Sequence, residues 1–250
     1  MKKAERRKMI LEQLQKTGSM TIKDLEHVFH VSGETIRTDI HSLVSQSLVI
    51  KEHGKIRINH AFKEMPLAYR SSERMQSKRS LAVRAFKEIK NGQIVYIDGG
   101  STTLSGIEAL QTKSGITVVT DSFPIAQRCL HLKIKTIILG GEIDCIEQRT
   151  NSYFAIRMLE NIHIDLAVLG TLGVQGTDGF TTLHPNGIAL LRTVLQQTDQ
   201  IIVLCDSNRF KEHASYIYTR FREIDMLITR LLTNDQRKIF SAIPSVVEVG

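Results

Sequence analysis

From Ile94 onward, short β-rich apolar runs alternate with amphipathic stretches, and nothing else in the chain limits its possible folds so sharply. Seven runs stand out, at residues 94–97, 116–119, 136–139, 166–169, 201–205, 226–228 and 246–249. They are continuous rather than alternating, as strands are when both faces of a sheet are covered. Helical patterns lie between several of them, at residues 102–110, 124–130 and 188–196. Together these features predict an α/β domain with a mostly parallel sheet. Ligands of such sheets bind beyond the carboxyl ends of the strands.

The residues at those ends are informative. Asp98, Gly99, Gly100, Ser101, Thr102 and Thr103 follow the first run, Thr120 and Asp121 end the second, and Gly140 and Gly141 end the third. Asp206, Arg209 and Lys211 follow the fifth. Glycines let the backbone turn inward, and hydroxyls with helix amides offer donors to an anion. If the strands are neighbours, these loops form a pocket for a phosphorylated small molecule. Taken singly, each loop also reads as a plain strand-to-helix turn.

Two nucleotide motifs fail. Gly170, Gly173, Gly176 and Gly179 recur every three residues, which is not the spacing of a dinucleotide fingerprint, and no phosphate-binding P-loop occurs. His131, His163, His184 and His213 show no metal-ligand spacing, so neither a metal nor a cofactor is expected.

Before residue 60 the pattern is different. Residues 4–14 form one helical pattern, closed by Gly18. Thr21 opens a second, with Asp24 three residues on and Ile22, Leu25, Val28 and Phe29 read as its inner face. Ser32 caps a third, with Val31 and Ile36 at the positions of a hydrophobic staple and Ile36, Ile40 and Leu43 on the buried side. Glu34, Arg37, Thr38 and His41 occupy the opposite face. This is a helix-turn-helix pattern, whose second helix reads base edges in the major groove. Residues 48–50 and 56–58, joined by a polar turn, read as a hairpin wing that brings Lys51, His53, Lys55 and Arg57 to phosphates. Thr21, Lys23, Ser32 and Thr35 complete the candidate DNA-contact set. A three-helix domain with a merely solvated polar face has the same pattern.

The net charge of +7 follows the same division, with +9 over residues 1–93 and −2 over the rest. Residues 1–59 are expected to be a winged helix-turn-helix domain, residues 60–76 a linker with room for a short helix and residues 77–250 the α/β domain. Lys78, Arg79, Arg84 and Lys87 on the first helix after the linker read as a solvated face, or as an extension of the field that steers DNA. The longest apolar run has five residues, too short to span a membrane, and the basic start lacks the apolar core of a signal peptide. Three separated cysteines, Cys129, Cys145 and Cys205, fit a reducing cytoplasm.

Val31-Ser32, Thr35-Ile36-Arg37, Asp39-Ile40 and Leu43, followed by His53-Gly54, resemble the DeoR family of bacterial sugar-metabolism repressors. The resemblance continues through Asp98 to Thr103, Thr120-Asp121-Ser122, Leu139-Gly140-Gly141, Gly179-Phe180-Thr181 and Asp206-Ser207 with Arg209-Phe210. It implies an effector domain similar to ribose-5-phosphate isomerase and CoA-transferase-like folds. It also implies operator DNA as partner, a phosphorylated sugar as effector at the strand-end residues named above, and a homo-oligomer, dimer or tetramer. Four departures stand out. Thr38 replaces a second arginine, Lys55 a second glycine and Arg209 a lysine, and the family's Glu-Ala-x-x-Lys stretch reads Gly187-Ile188-Ala189-Leu190-Leu191. An isomerase needs a carboxylate base at the substrate carbon, so no catalysis is expected. The alternatives are an isomerase-like enzyme carrying a DNA-binding domain, and a regulator whose effector site is lost.

Overall fold

The computed structural model describes residues 3–45, 48–58, 67–72, 74–144, 147–150, 152–183 and 185–250, so Cys145, His184 and most of the first half of the expected linker lie outside the described residues. The chain divides into two compact units, Met1–Tyr69 and Arg70–Gly250.

The first unit runs α1 (Lys3–Thr17), β1 (Ser19–Thr21), α2 (Ile22–Phe29), α3 (Gly33–Ser45), β2 (Val49–Glu52) and β3 (Lys55–Ile58). Thr21 caps α2 in a reciprocal box: its Oγ1 accepts from Asp24 N at 3.2 Å, and its own N–H donates to Asp24 Oδ2 at 2.7 Å. Ser32 Oγ accepts from Thr35 N at 3.4 Å at the start of α3. Ile10, Leu11, Leu14, Leu25, Ile36, Leu43 and Ile56 are fully buried together. Val28, expected to face inward, is exposed instead, because eight residues of α2 bury only the Leu25–Phe29 side. The wing gains a strand that the sequence did not suggest. Ser19–Thr21 pairs antiparallel with β3, giving the order β1-β3-β2. His53 and Gly54 both have positive φ (48° and 77°), the geometry of a tight two-residue hairpin turn.

Helix α4 (Leu67–Ser72) lies within the stretch expected as linker and spans the division, and the second unit goes on with α5 (Met75–Lys87), which starts inside that stretch. It continues with β4 (Ile94–Ile97), α6 (Ser101–Leu104), β5 (Thr117–Thr120), α7 (Phe123–His131), β6 (Lys135–Ile138), β7 (Ile143–Asp144), β8 (Arg149–Thr150) and α8 (Tyr153–Leu159). Then come β9 (Ile164–Gly170), β10 (Gly179–Thr182), α9 (Pro185–Gln196), β11 (Thr198–Cys205), β12 (Tyr216–Arg220), β13 (Met226–Arg230), α10 (Asn234–Ile239) and β14 (Ser245–Val249). All seven predicted runs become strands of one parallel sheet, ordered β14-β13-β11-β9-β4-β5-β6.

Apolar side chains cover both faces of that sheet. On one face Leu81, Phe86, Ile107, Ile125 and Cys129 pack on Val95, Ile97 and Val118. On the other, Leu159, Leu190, Val194, Phe221 and Phe240 pack on Tyr96, Ala167 and Val203. The helix expected over 102–110 is instead α6 followed by a 3-10 segment, Ile107–Thr112. The break falls at Gly106, where a Cβ would stand 2.5 Å from the Ala82 Cβ of α5. The recurring glycines also find their reason. β10 and β12 form a separate antiparallel pair, and a Cβ on Gly179 would stand 2.3 Å from the Thr219 carbonyl oxygen. A Cβ on Gly173 would likewise meet the Glu212 carbonyl oxygen at 2.1 Å. Lys78, read as surface, is buried, with its ammonium donating to the Arg70 carbonyl. Among the described residues no helix is long and apolar enough to cross a membrane.

Candidate functional sites: a helix-turn-helix face and a sheet switch point

The first site is the outer face of α3. Glu34, Arg37, Thr38 and His41 are exposed along it, and Ser32 is exposed at its cap beside half-buried Thr35. Arg37 Nη1 lies 3.6 Å from Glu34 Oε2, a loose pair with both side chains well exposed. Lys23 is exposed at the start of α2, next to half-buried Thr21. On the wing, Lys51, His53 and Lys55 are exposed, whereas Arg57 donates to Glu52 Oε2 of the facing strand at 2.6 Å. The sequence motif contains one residue whose role only the structure reveals. Asp39 is fully buried, and Arg6 Nε and Arg7 Nε of α1 donate to its two oxygens at 2.6 and 2.9 Å. It fastens α3 to α1 and does not face outward.

The second site lies where the sheet changes direction. Strands β4, β5 and β6 step outward one way and β9, β11, β13 and β14 the other, so β4 and β9 flank the switch point where such sheets bind ligands. The loops after β4, β5 and β9 meet there around Arg149, a residue of β8 with no signal in the spacing of the sequence. Its guanidinium donates to Asp98 Oδ1 at 2.5 Å and to both oxygens of Asp121 at 2.7 and 3.0 Å. Asp98 Oδ2 also accepts from Gly170 N at 3.1 Å, and Tyr96 Oη donates to Asp121 Oδ1 at 3.1 Å. Tyr218 Oη closes the group by donating to Gly170 O at 2.7 Å. Burial pushes the Asp121 carboxyl above its ordinary range, and the Arg149 cation opposes that rise. Gly99 is required because a Cβ there would press on the Ser122 Cβ at 2.9 Å and on the Arg149 guanidinium at 3.3 Å.

The other expected effector residues separate by environment. Thr103 and Thr120 are wholly buried and their hydroxyls are used locally. Thr103 Oγ1 donates to Asp98 O at 2.6 Å, and Thr120 Oγ1 donates to Ile97 O at 2.7 Å. Ser101 is buried at the start of α6, next to half-buried Gly100 and Thr102. Gly140 and Gly141 turn at the end of β6 against Ser152, whose Oγ donates to Gly140 O at 3.2 Å. Asp206 accepts two bonds from Arg74, Arg209 donates to Leu172 O at 3.3 Å and pairs with Glu212, and Lys211 is exposed. The stretch Gly187 to Leu191 belongs to α9, where Leu190 and Leu191 enter the core. One His/Asp group exists among the described residues, at the opposite, amino end of the strands. His163 Nε2 and Asp199 Oδ2 lie 3.0 Å apart beside Asp165, itself accepting from Ile94 N at 2.6 Å. His163 and Asp199 are exposed, an ordinary surface pair.

Family models match both parts: a DeoR-like helix-turn-helix domain over residues 6–62 and a DeoR C terminal sensor domain over residues 73–230. The chain belongs to the DeoR family. Its relatives include the HTH-type transcriptional regulator FruR of Bacillus subtilis, 27% identical over 83% of this chain and 83% of that one. The glycerol-3-phosphate regulon repressor of Escherichia coli is 22% identical over 92% of this chain and 91% of its own length. The HTH-type transcriptional regulator IolR of Bacillus subtilis is 24% identical over 88% of each. A solved ribose 5-phosphate isomerase from Plasmodium falciparum is similar at 14% identity and a TM-score of 0.40, over 54% of this chain and about half (53%) of that one. These DeoR relatives carry the names of regulators rather than of enzymes, in line with the reading that this chain is not a catalyst.

Proposed function

We propose that this DeoR-family chain is a cytoplasmic operator-binding transcriptional repressor of a sugar-uptake or catabolic operon, modulated by a phosphorylated sugar. The observation that carries the reading is the capped helix α3, presenting Glu34, Arg37, Thr38 and His41 outward beside a wing with Lys51 and Lys55. In this reading residues 1–59 contact DNA, residues 60–76 connect and residues 77–250 sense. Arg37 makes the base contact, and the wing lysines with His53 meet phosphates, which position without specifying. The effector binds at the β4–β9 switch point over Ser101, Thr102 and the Arg149 cluster. It acts only through a difference in affinity for the DNA-competent and incompetent arrangements, and a hundredfold release requires coupling of about 2.7 kcal/mol.

Arg37→Ala tests the groove assignment. Its side chain is exposed and pairs only loosely with Glu34, so the fold should be unaffected. Operator preference over random DNA is expected to fall by about 1–3 kcal/mol in a salt-controlled binding titration. Unchanged discrimination would remove Arg37 from the base-reading role.

A homo-oligomer, dimer or tetramer, is part of the same reading, and α8 supports it. Ala155 and Leu159 face the core, while Tyr153 and Phe154 are each 69% exposed and Met158 is 39% exposed. A helix apolar on opposite sides implies a second cover, and the mixed charges alongside (Arg157 with Glu160, 2.6 Å) suit a second copy. Tyr153→Glu combined with Phe154→Glu is expected to reduce the mass measured by light scattering to that of a smaller assembly. The same mass as the parent would place the contact elsewhere.

A further inference from the structure

Two arginines of the connector are held by carboxylates far along the chain. Arg70 Nη2 donates to Glu147 Oε2 at 2.9 Å, and both side chains are almost fully shielded. Arg74 donates from Nε and Nη2 to the two oxygens of Asp206 at 2.9 and 3.0 Å, a bidentate fork. Ser77 Oγ donates to the same carboxylate at 3.0 Å. Arg74 also has left-handed backbone (φ 48°), an uncommon state for a residue with a side chain, and it gives α5 no side-chain cap.

Both carboxylates sit next to the switch-point cluster. Glu147 stands two residues before Arg149, in a turn tied by Asp144, whose Oδ1 accepts from Glu147 N at 2.9 Å and whose carbonyl accepts from Gln148 N at 2.7 Å. Asp206 directly follows β11, the neighbour of β9, and the turn it opens is tied to the loop after β9 by Val174 N donating to Arg209 O at 3.1 Å. The turn before β8 and the turn after β11 therefore each hold one arginine of the connector.

We propose that Glu147 and Asp206 are positioning residues that transmit the state of the effector loops to the connector through Arg70 and Arg74. What moves the loops rests on the sugar-phosphate reading above, in which an arriving anion competes with Asp98 and Asp121 for Arg149. Displacement of Arg149 reaches Glu147 through the tied turn. The shielded Arg70–Glu147 pair offsets its desolvation only while its geometry is good, so a small shift changes it from held to released. That supplies the discrete element on which coupling between two sites depends.

The test uses the full chain with its own upstream DNA and a random duplex of equal length. Arg74→Lys keeps the charge but loses the planar fork, and Glu147→Gln keeps the shape but loses the charge. Without any sugar phosphate, each variant is expected to change operator Kd by at least about fivefold, the low end of measured couplings, with random-duplex Kd unchanged. Added glycerol 3-phosphate or glucose 6-phosphate should then shift operator Kd less in the variants than in the parent wherever it raises the melting midpoint of both. Operator Kd within twofold of the parent for both variants, with only a lower melting midpoint, would show that the pairs merely brace the sensor and would overturn the proposal. A parent indifferent to every sugar phosphate tried would defeat the effector reading alone, because the comparison without ligand still decides the role of the pairs.

Discussion

Asp39→Ala is expected to unfold the DNA-reading unit and to abolish binding to operator and random DNA alike. Asp39 is fully buried, and it is the anion between Arg6 and Arg7, whose side chains are only 11% and 19% exposed. Removing it leaves two cations side by side with no other carboxylate paired to them among the described residues. Breaking a buried ion pair from one side costs about 3–5 kcal/mol. The whole stability of a domain is about 5–15 kcal/mol, and small domains lie toward the lower end. The change should therefore eliminate the first unit's cooperative melting transition, followed by circular dichroism. A midpoint within a few degrees of the parent's would show that α1 and α3 are held by their apolar contacts alone. Arg37→Ala is expected to contrast with it, weakening sequence preference while leaving the fold and general DNA affinity in place.

Arg149→Met is expected to damage the second unit by a comparable amount. Asp98 is 7% exposed and Asp121 is fully buried, and Arg149 is the cation between them. Methionine keeps much of the volume but leaves two shielded carboxylates facing each other. The expected loss is about 3–5 kcal/mol, on the order of 10 °C in the midpoint of a domain of this size. The loss should also depend on pH in a definite direction. Asp121 already lies above its ordinary range through burial, even with Arg149 opposing the rise. Without the cation the Asp121 carboxyl rises further. A carboxyl whose folded value exceeds its unfolded one weakens the folded state as pH rises through the folded value. The variant's deficit should therefore be greater near about pH 8 than near about pH 5. A deficit that is equal at both, or greater in acid, would mean that the carboxylates are not paired mainly through Arg149.

Much of the sheet was legible from local chemistry. A strand buried on both faces must be a short continuous apolar run, and all seven such runs became strands of the parallel sheet. The caps at Thr21 and Ser32 were legible for a similar reason, because a hydroxyl three residues before an orphan amide acts locally. The β10–β12 pair was not legible: its strands are half polar and more than thirty residues apart, and the glycines that permit their approach showed only as a failed motif. The buried ion pairs were equally hidden. Arg149 and Glu147 lie in a stretch without periodicity, and Arg70 and Arg74 lay in what read as a plain linker.

The sequence by itself determined the two-part organisation, the outward polar face of α3 and the parallel strands with glycine- and hydroxyl-rich loops at their carboxyl ends. Those properties follow from side-chain period and from hydrogen bonds that close within a few residues. Only the tertiary structure decided which charges meet. Asp39, Asp98, Asp121 and Asp206 look alike as letters, yet each is neutralised by arginines from 28 to 132 residues away. A buried carboxylate needs a cation at hydrogen-bond distance wherever the chain can supply one, and only the folded topology brings those residues together.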